Sequence, residues 1–200
     1  MELHCLENKS ILITGASGFI GSFMVERALA EGMEVWAAVR PTSSRRYLTD
    51  DRIHFIELDL SDELHLQHQL EDHLKEVEGR PFDYVIHAAG ATKCRRAEDF
   101  FTINAEGTAC LALTLLGTQA LLPTGRFVFI SSLSVMGPLH ERDGKDIMAS
   151  ELARPNTAYG ASKLQAESML ADIRDLNYVV LRPTGAVSYT HLTLPTKLEV

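Results

Sequence analysis

Residues Ser10–Gly21 read SILITGASGFIG, and they constrain the fold more tightly than any other stretch of this chain. A short apolar run, Ser10–Thr14, leads into a turn with glycines at 15, 18 and 21. The segment Phe19–Glu31 then places Phe19, Ile20, Phe23, Met24, Ala28 and Leu29 on one face of a helix, and Gly32 stands where a helix commonly ends. A strand that turns this tightly into a helix opens a βαβ unit. Gly15 permits the turn, Gly18 lets backbone amides approach a bound group, and Gly21 lets the helix pack closely on the sheet. The helix N-terminus offers unpaired N–H groups and a favourable dipole to phosphates.

The alternation continues through the chain. Apolar runs at Glu34–Val39, Ile53–Glu57, Asp83–His87, Arg126–Ile130 and Tyr178–Leu181 predict further strands. Helical patterns occupy Leu64–Val77, Phe100–Leu121 and Ala158–Asp172, and the histidines of the first of these are expected to face solvent. Strands alternating with helices predict an α/β fold, a Rossmann-type doubly wound parallel sheet covered on both faces. The connection Leu133–Thr157 is long for such a fold, and long loops are more often functional than structural.

Composition excludes some classes. The chain has 27 acidic and 19 basic residues, a formal charge of -8, which argues against a nucleic-acid or anionic-membrane surface. No apolar run reads as long enough to span a bilayer, and Leu111–Leu122 reads as a buried helix. Cys5, Cys94 and Cys110 have no metal-ligand spacing, so no metal is expected. Scattered cysteines without a signal peptide point to a reducing, cytoplasmic setting.

The residue types around the turn carry the chemistry. An acidic side chain after the second strand would bind the ribose hydroxyls of NAD; this chain has Arg40 there, with Arg45 and Arg46 nearby. A guanidinium pairs with a 2′-phosphate, which favours NADP over NAD, although Arg40 reads also as a solvated charge at the strand edge. Asp59 and Leu60 after the third strand are placed to meet adenine, and Asp59 reads equally as a helix N-cap. Far downstream, Tyr159 and Lys163 lie four apart on one helix face. An ammonium beside a phenol favours the phenolate, which makes a proton donor and acceptor near neutral pH. Ser132, after the fifth strand, can bind the same substrate oxygen. Alone, such a Tyr–Lys pair is more often a surface feature; Ser132 and the glycine turn give it weight.

These motifs together resemble the extended short-chain dehydrogenase/reductase superfamily, and within it the NAD-dependent epimerase/dehydratase family. TGASGFIG, with Gly15, Ser17, Gly18, Phe19, Ile20 and Gly21, resembles the family's cofactor turn. Asp59 and Leu60 resemble its adenine-contact pair. HAAG, with Ala88, Ala89 and Gly90, resembles the segment after the fourth strand that lines the cofactor. Asn104 resembles the asparagine of the central helix that supports the catalytic helix. ISSLSVMG places the catalytic hydroxyl at Ser132, and YGASK supplies Tyr159 and Lys163. Arg182–Pro183 resembles the RP motif facing the nicotinamide. Two departures stand out: Met136 replaces a common tyrosine, and RPTGAV lacks the Tyr-Gly-Pro element that often follows.

The resemblance implies hydride transfer on a hydroxyl or carbonyl compound, a nucleotide-activated sugar among the substrate classes, with NADP or NAD as cofactor. It implies Tyr159 as the proton donor and acceptor, Lys163 on the nicotinamide ribose, Ser132 orienting the substrate oxygen and Asn104 holding local geometry. It also implies a homodimer paired through helices of this domain. A regulator of the same fold that binds a nucleotide without turnover is the alternative, and the joint presence of Ser132, Tyr159 and Lys163 weighs against it. Residues 1–186 are expected to form the dinucleotide-binding unit, with the C-terminal substrate domain of the family missing. Ser188–Thr196, SYTHLTLPT, resembles a translated sequencing-library adapter, so residues 187–200 are expected to be non-native.

Overall fold

The computed structural model of the chain describes residues 6–138 and 152–184. Six strands form one sheet, all pairs parallel: β1 (Ser10–Thr14), β2 (Glu34–Ala38), β3 (Ile53–Ile56), β4 (Phe82–His87), β5 (Leu121–Ile130) and β6 (Tyr178–Leu181). The spatial order is β3-β2-β1-β4-β5-β6. The chain therefore reverses its winding between β1 and β4, and the C-terminal ends of those two strands flank a crevice where such sheets bind ligands. The residues expected at 187–200 to be foreign, the boundary at 186 and Cys5 lie outside the described residues.

Helices α1 (Phe19–Ala30), α2 (Glu63–Glu76), α3 (Ala97–Phe101), α4 (Gly107–Gly117) and α5 (Ala158–Asp172) cover the sheet. One core layer packs α1 on β1–β3 through Ile11, Ile13, Val25, Leu29, Val35 and Ile53. The other packs α2, α4 and α5 through Leu66, Leu70, Leu111, Leu115, Phe127, Phe129 and Leu170. Strands buried on both faces explain why their sequences read as continuous apolar runs.

Five expectations need correction. The helix read as Phe100–Leu121 starts at Ala97, passes through a π-helical stretch at Thr102–Glu106 and ends at Gly117. Gln119, at φ 59°, turns the chain, and Leu121 already opens β5, five residues before the strand read at Arg126. Leucines on both sides of Gly117–Gln119 masked this break, and the β4–β5 pairing shifts register between Phe82 and Tyr84. Residues Ala97–Gly117 also form one helical run of 21 residues, apolar enough by length and composition to cross a membrane. Half of its most apolar 18-residue window is buried inside the fold.

The histidines of α2 do not all face solvent. His73 is 4% exposed, its ring stacked on Phe82 at 4.8 Å and meeting Trp36 edge-on at 4.4 Å. Its Nδ1 has no hydrogen-bond partner among the described residues, and burial pushes its pKa down. Finally, Asp62 and not Asp59 caps α2, accepting the His65 N–H at 3.0 Å.

Candidate active site

The β1–α1 turn is built around backbone contact. Gly15 has φ +67°, and a Cβ there would lie 2.6 Å from the Ala89 nitrogen. A Cβ on Gly21 would run into the Gly15 carbonyl. Glycine is therefore required at both positions, and the turn lies against Ala88 and Ala89 of the HAAG segment. Ser17 and Ile20 are half-buried, while Gly18 and Phe19 are exposed at the first turn of α1. Gly18 N–H donates to the Gly15 carbonyl at 2.9 Å within the turn, and the exposed start of α1 is the end of a helix that favours a phosphate.

A buried polar chain ties this turn to the central helix. Thr14 Oγ1 lies 2.7 Å from His87 Nδ1, and His87 Nε2 lies 3.0 Å from Thr108 Oγ1. Thr108 donates its own proton to the Asn104 carbonyl at 2.6 Å. Its oxygen must then accept from Nε2–H, so the imidazole is the Nε2–H tautomer and Thr14 donates to Nδ1. Burial, with the Lys163 charge as a lesser cause, pushes the His87 pKa down to about 3. The imidazole is neutral, as two such hydrogen bonds require.

Asn104 sits fully buried in the π-helical stretch. Its Oδ1 accepts from the Ala91 N–H at 2.7 Å, and its Nδ2 donates to the Ala91 carbonyl and to Ser162 Oγ, both at 3.0 Å. One side chain thus fastens the segment after β4 to α5. A Cβ on Gly90 would lie 3.0 Å from Asn104 Oδ1 and 3.5 Å from Lys163 Nζ, which puts HAAG, Asn104 and Lys163 in one place.

Helix α5 brings the Tyr–Lys pair to this spot. Thr157 caps it, accepting the Gly160 N–H at 3.0 Å, and a side chain at Gly160 would overlap the Ser134 carbonyl. The first turn of α5 therefore rests directly on the serine segment. Tyr159 is half-buried, its ring 6.1 Å from that of Phe100. Lys163 is 4% exposed, donates to the Ile130 carbonyl at 2.8 Å and lies over the Phe129 ring at 4.4 Å. Burial pulls its pKa down to about 8, opposed by the Glu167 charge.

Ser132 caps a short 3-10 helix, Leu133–Met136. Its Oγ accepts from the Ser134 N–H and donates to Ser134 Oγ, both at 3.1 Å. Pro183 follows β6, and its carbonyl accepts the Leu133 N–H at 2.9 Å. Ser132, Tyr159, Lys163, Asn104, Gly90 and Pro183 thus share one end of the sheet with the glycine turn. Arg40, Asp59 and Leu60 lie at the same end on the other wing, after β2 and β3. Arg40 is exposed. The Asp59 carboxylate accepts from Ser61 N–H and Oγ–H, which lower its pKa. Leu60 packs partly into the core.

The sequence reading missed Glu167 and its network. Ser131 donates to Glu167 Oε1 at 2.5 Å, and Arg182 grips the same carboxylate through Nε at 3.0 Å and an NH2 group at 2.5 Å. The available signal was spacing: Glu167 lies one helical turn after Lys163. The Thr14–His87–Thr108 chain had no comparable signal, because its members are far apart in sequence.

Comparison with known proteins places this geometry. The family described as "NAD dependent epimerase/dehydratase family" matches residues 11–198. A mouse (Mus musculus) UDP-glucose 4-epimerase is 30% identical over 207 aligned positions, covering 89% of this chain and 54% of its own. The solved UDP-glucose 4-epimerase of Thermus thermophilus, in complex with NAD, superposes with a TM-score of 0.69 at 28% identity, over 86% of this chain and 54% of that one. That of Brucella ovis, also with NAD, gives 0.70 at 27% identity, over 87% and 51%. The chain spans about half the length of the curated relatives it matches.

Proposed function

The chain belongs to the NAD dependent epimerase/dehydratase family, and from that premise we propose that it is the dinucleotide-binding part of an oxidoreductase acting on a hydroxyl or carbonyl carbon. A nucleotide-activated sugar is the substrate class we favour, in keeping with the sugar-nucleotide epimerases it is similar to. The observation that carries the reading is the meeting of the glycine cradle with Lys163, Asn104 and Gly90 at one sheet end.

Close packing of Gly15 on Ala88 and Ala89, and of Gly21 on Gly15, leaves Gly18 and Phe19 exposed at the start of α1, where a dinucleotide phosphate would sit. Gly15, Ser17, Gly18, Phe19, Ile20 and Gly21 would hold the pyrophosphate side, and Ala88, Ala89, Gly90 and Pro183 would line the nicotinamide side. Bound there, the nicotinamide supplies the hydride acceptor or donor. Lys163 would hold the ribose of the nicotinamide. Tyr159 takes a proton from a substrate hydroxyl or returns it to a carbonyl oxygen. Ser132 orients that oxygen, and Asn104 keeps α5 against the segment after β4.

Choice of dinucleotide rests on the β2 end. The relatives solved with a dinucleotide hold NAD. Here Arg40 follows β2, and no carboxylate occurs between it and Asp50. A guanidinium without a competing carboxylate supports a 2′-phosphate, so NADP is favoured over NAD. The test of the reaction is Tyr159→Phe in the full-length enzyme with a sugar-nucleotide substrate. Turnover should fall by at least about a hundredfold, roughly the contribution of positioned acid–base catalysis, with dinucleotide affinity kept. Turnover kept by the phenylalanine variant overturns the assignment.

A further inference from the structure

Three segments of the site are tied to one carboxylate that the proposed reaction does not use. Glu167 Oε1 accepts from Ser131 Oγ at 2.5 Å and from Arg182 Nε at 3.0 Å, and Oε2 takes the Arg182 NH2 group at 2.5 Å. A further Arg182 nitrogen lies 3.3 Å from the Met136 sulfur, at the far end of the serine segment. Glu167 is 9% exposed and Ser131 is 3% exposed. One turn earlier on the same helix, Lys163 donates to the carbonyl of Ile130. Consecutive residues at the end of β5, 130 and 131, are thus gripped by residues 163 and 167 of α5. Ser132 is the next residue along, and Pro183 follows Arg182 directly.

We propose that Glu167 is a positioning residue of this site: it locks the ends of β5 and β6 onto α5, fixing Ser132 and Pro183 relative to Lys163, and it supplies the counter-charge for the Lys163 ammonium. The inference rests on the dinucleotide reading given above. Burial opposes the charge on Lys163 and Glu167 supports it. Among the described residues, the titratable and charged groups around Lys163 are Tyr159 and Glu167 on α5, the neutral His87 on β4 and Arg182 after β6. Only Glu167 among them carries negative charge against the ammonium at neutral pH.

Two substitutions separate this role from mere structural support. Glu167→Gln keeps an acceptor for Ser131 but removes the negative charge and leaves Arg182 uncompensated. Arg182→Gln removes the positive charge paired with Glu167 and keeps the Ser131 hydrogen bond, so the carboxylate charge is no longer offset by the guanidinium. The readout is the dissociation constant for NADPH between about pH 7 and 10, where its 2′-phosphate no longer titrates. A wild-type affinity that depends on the Lys163 ammonium weakens above a breakpoint near 8, by up to about tenfold per pH unit. Glu167→Gln should move the breakpoint down by about a unit, and Arg182→Gln should move it up. A 13C titration of the lysine side chains, with Lys163→Arg identifying the resonance, reads the same shifts without cofactor.

Opposite shifts in the two variants support the proposal, and an upward shift in Arg182→Gln suffices if Glu167→Gln does not fold. Weaker binding at every pH with unmoved breakpoints, and an unmoved lysine titration, overturns it and leaves Glu167 a structural residue. A wild-type chain that binds no NADPH overturns the dinucleotide reading instead, and the lysine titration then still decides the electrostatic role.

Discussion

Replacing His87 by glutamine should remove most of one specific acid sensitivity from this fold. His87 is 1% exposed, hydrogen-bonded on both ring nitrogens and pushed down to about 3 by burial. In the unfolded chain an imidazole titrates near about 6.5. Between those values the unfolded state binds a proton that the folded state refuses, so stability rises with pH across the window. The contribution is complete above about 6.5 and is lost progressively as pH falls toward about 3. From about pH 7 to 4.5 the loss is about 2–3 kcal/mol, at roughly 1.36 kcal/mol per unit. Glutamine keeps one donor and one acceptor for Thr14 and Thr108 but cannot titrate. Urea unfolding followed by circular dichroism at about pH 7 and about pH 4.5 isolates the effect, because His73 and the carboxylates titrate alike in both proteins. The variant should be less stable at neutral pH, by about 1–3 kcal/mol for imperfect hydrogen bonds, yet lose about 2–3 kcal/mol less on acidification. Equal losses in the two proteins would refute the reasoning, and with it the buried neutral tautomer.

Two further substitutions probe the cofactor cradle. Arg40→Asp should weaken NADPH binding by about tenfold or more while leaving NADH unchanged or tighter, measured by calorimetry; parallel changes contradict the role given to Arg40. Gly21→Ala sets a methyl group against the Gly15 carbonyl and should cost about 1–3 kcal/mol of stability, seen as a lower melting temperature together with weaker dinucleotide binding. An unchanged melting temperature would mean that the helix does not pack on the turn as described.

Local chemistry made much of this molecule legible in its sequence. The β1–turn–α1 unit was readable because Gly15 and Gly21 answer backbone needs that no other residue meets. Helix α5 was readable because Thr157, a good N-cap, stands immediately before an uninterrupted helical run. The β4 strand was readable from Asp83 onward, with Phe82 joining it through the Ala120 carbonyl. The break between α4 and β5 was not readable, since Leu115, Leu121 and Leu122 suit a buried helix and a buried strand equally well. Burial of His73 was hidden too. It depends on Trp36 and Phe82, which arrive from two different strands. The same limit explains Glu167: its spacing from Lys163 was visible, but Ser131 and Arg182 come from other strand ends and meet it only in the folded sheet. Motifs read along the chain found the groups assigned to chemistry; the groups that hold them in place were assembled across it.

The central claim is that this chain carries a dinucleotide site. The most direct test is a calorimetric titration of the chain with NADPH and then NADH. Saturable binding of one dinucleotide per chain, tighter for NADPH, is the predicted result. No saturable binding of either dinucleotide by the folded chain would contradict the account.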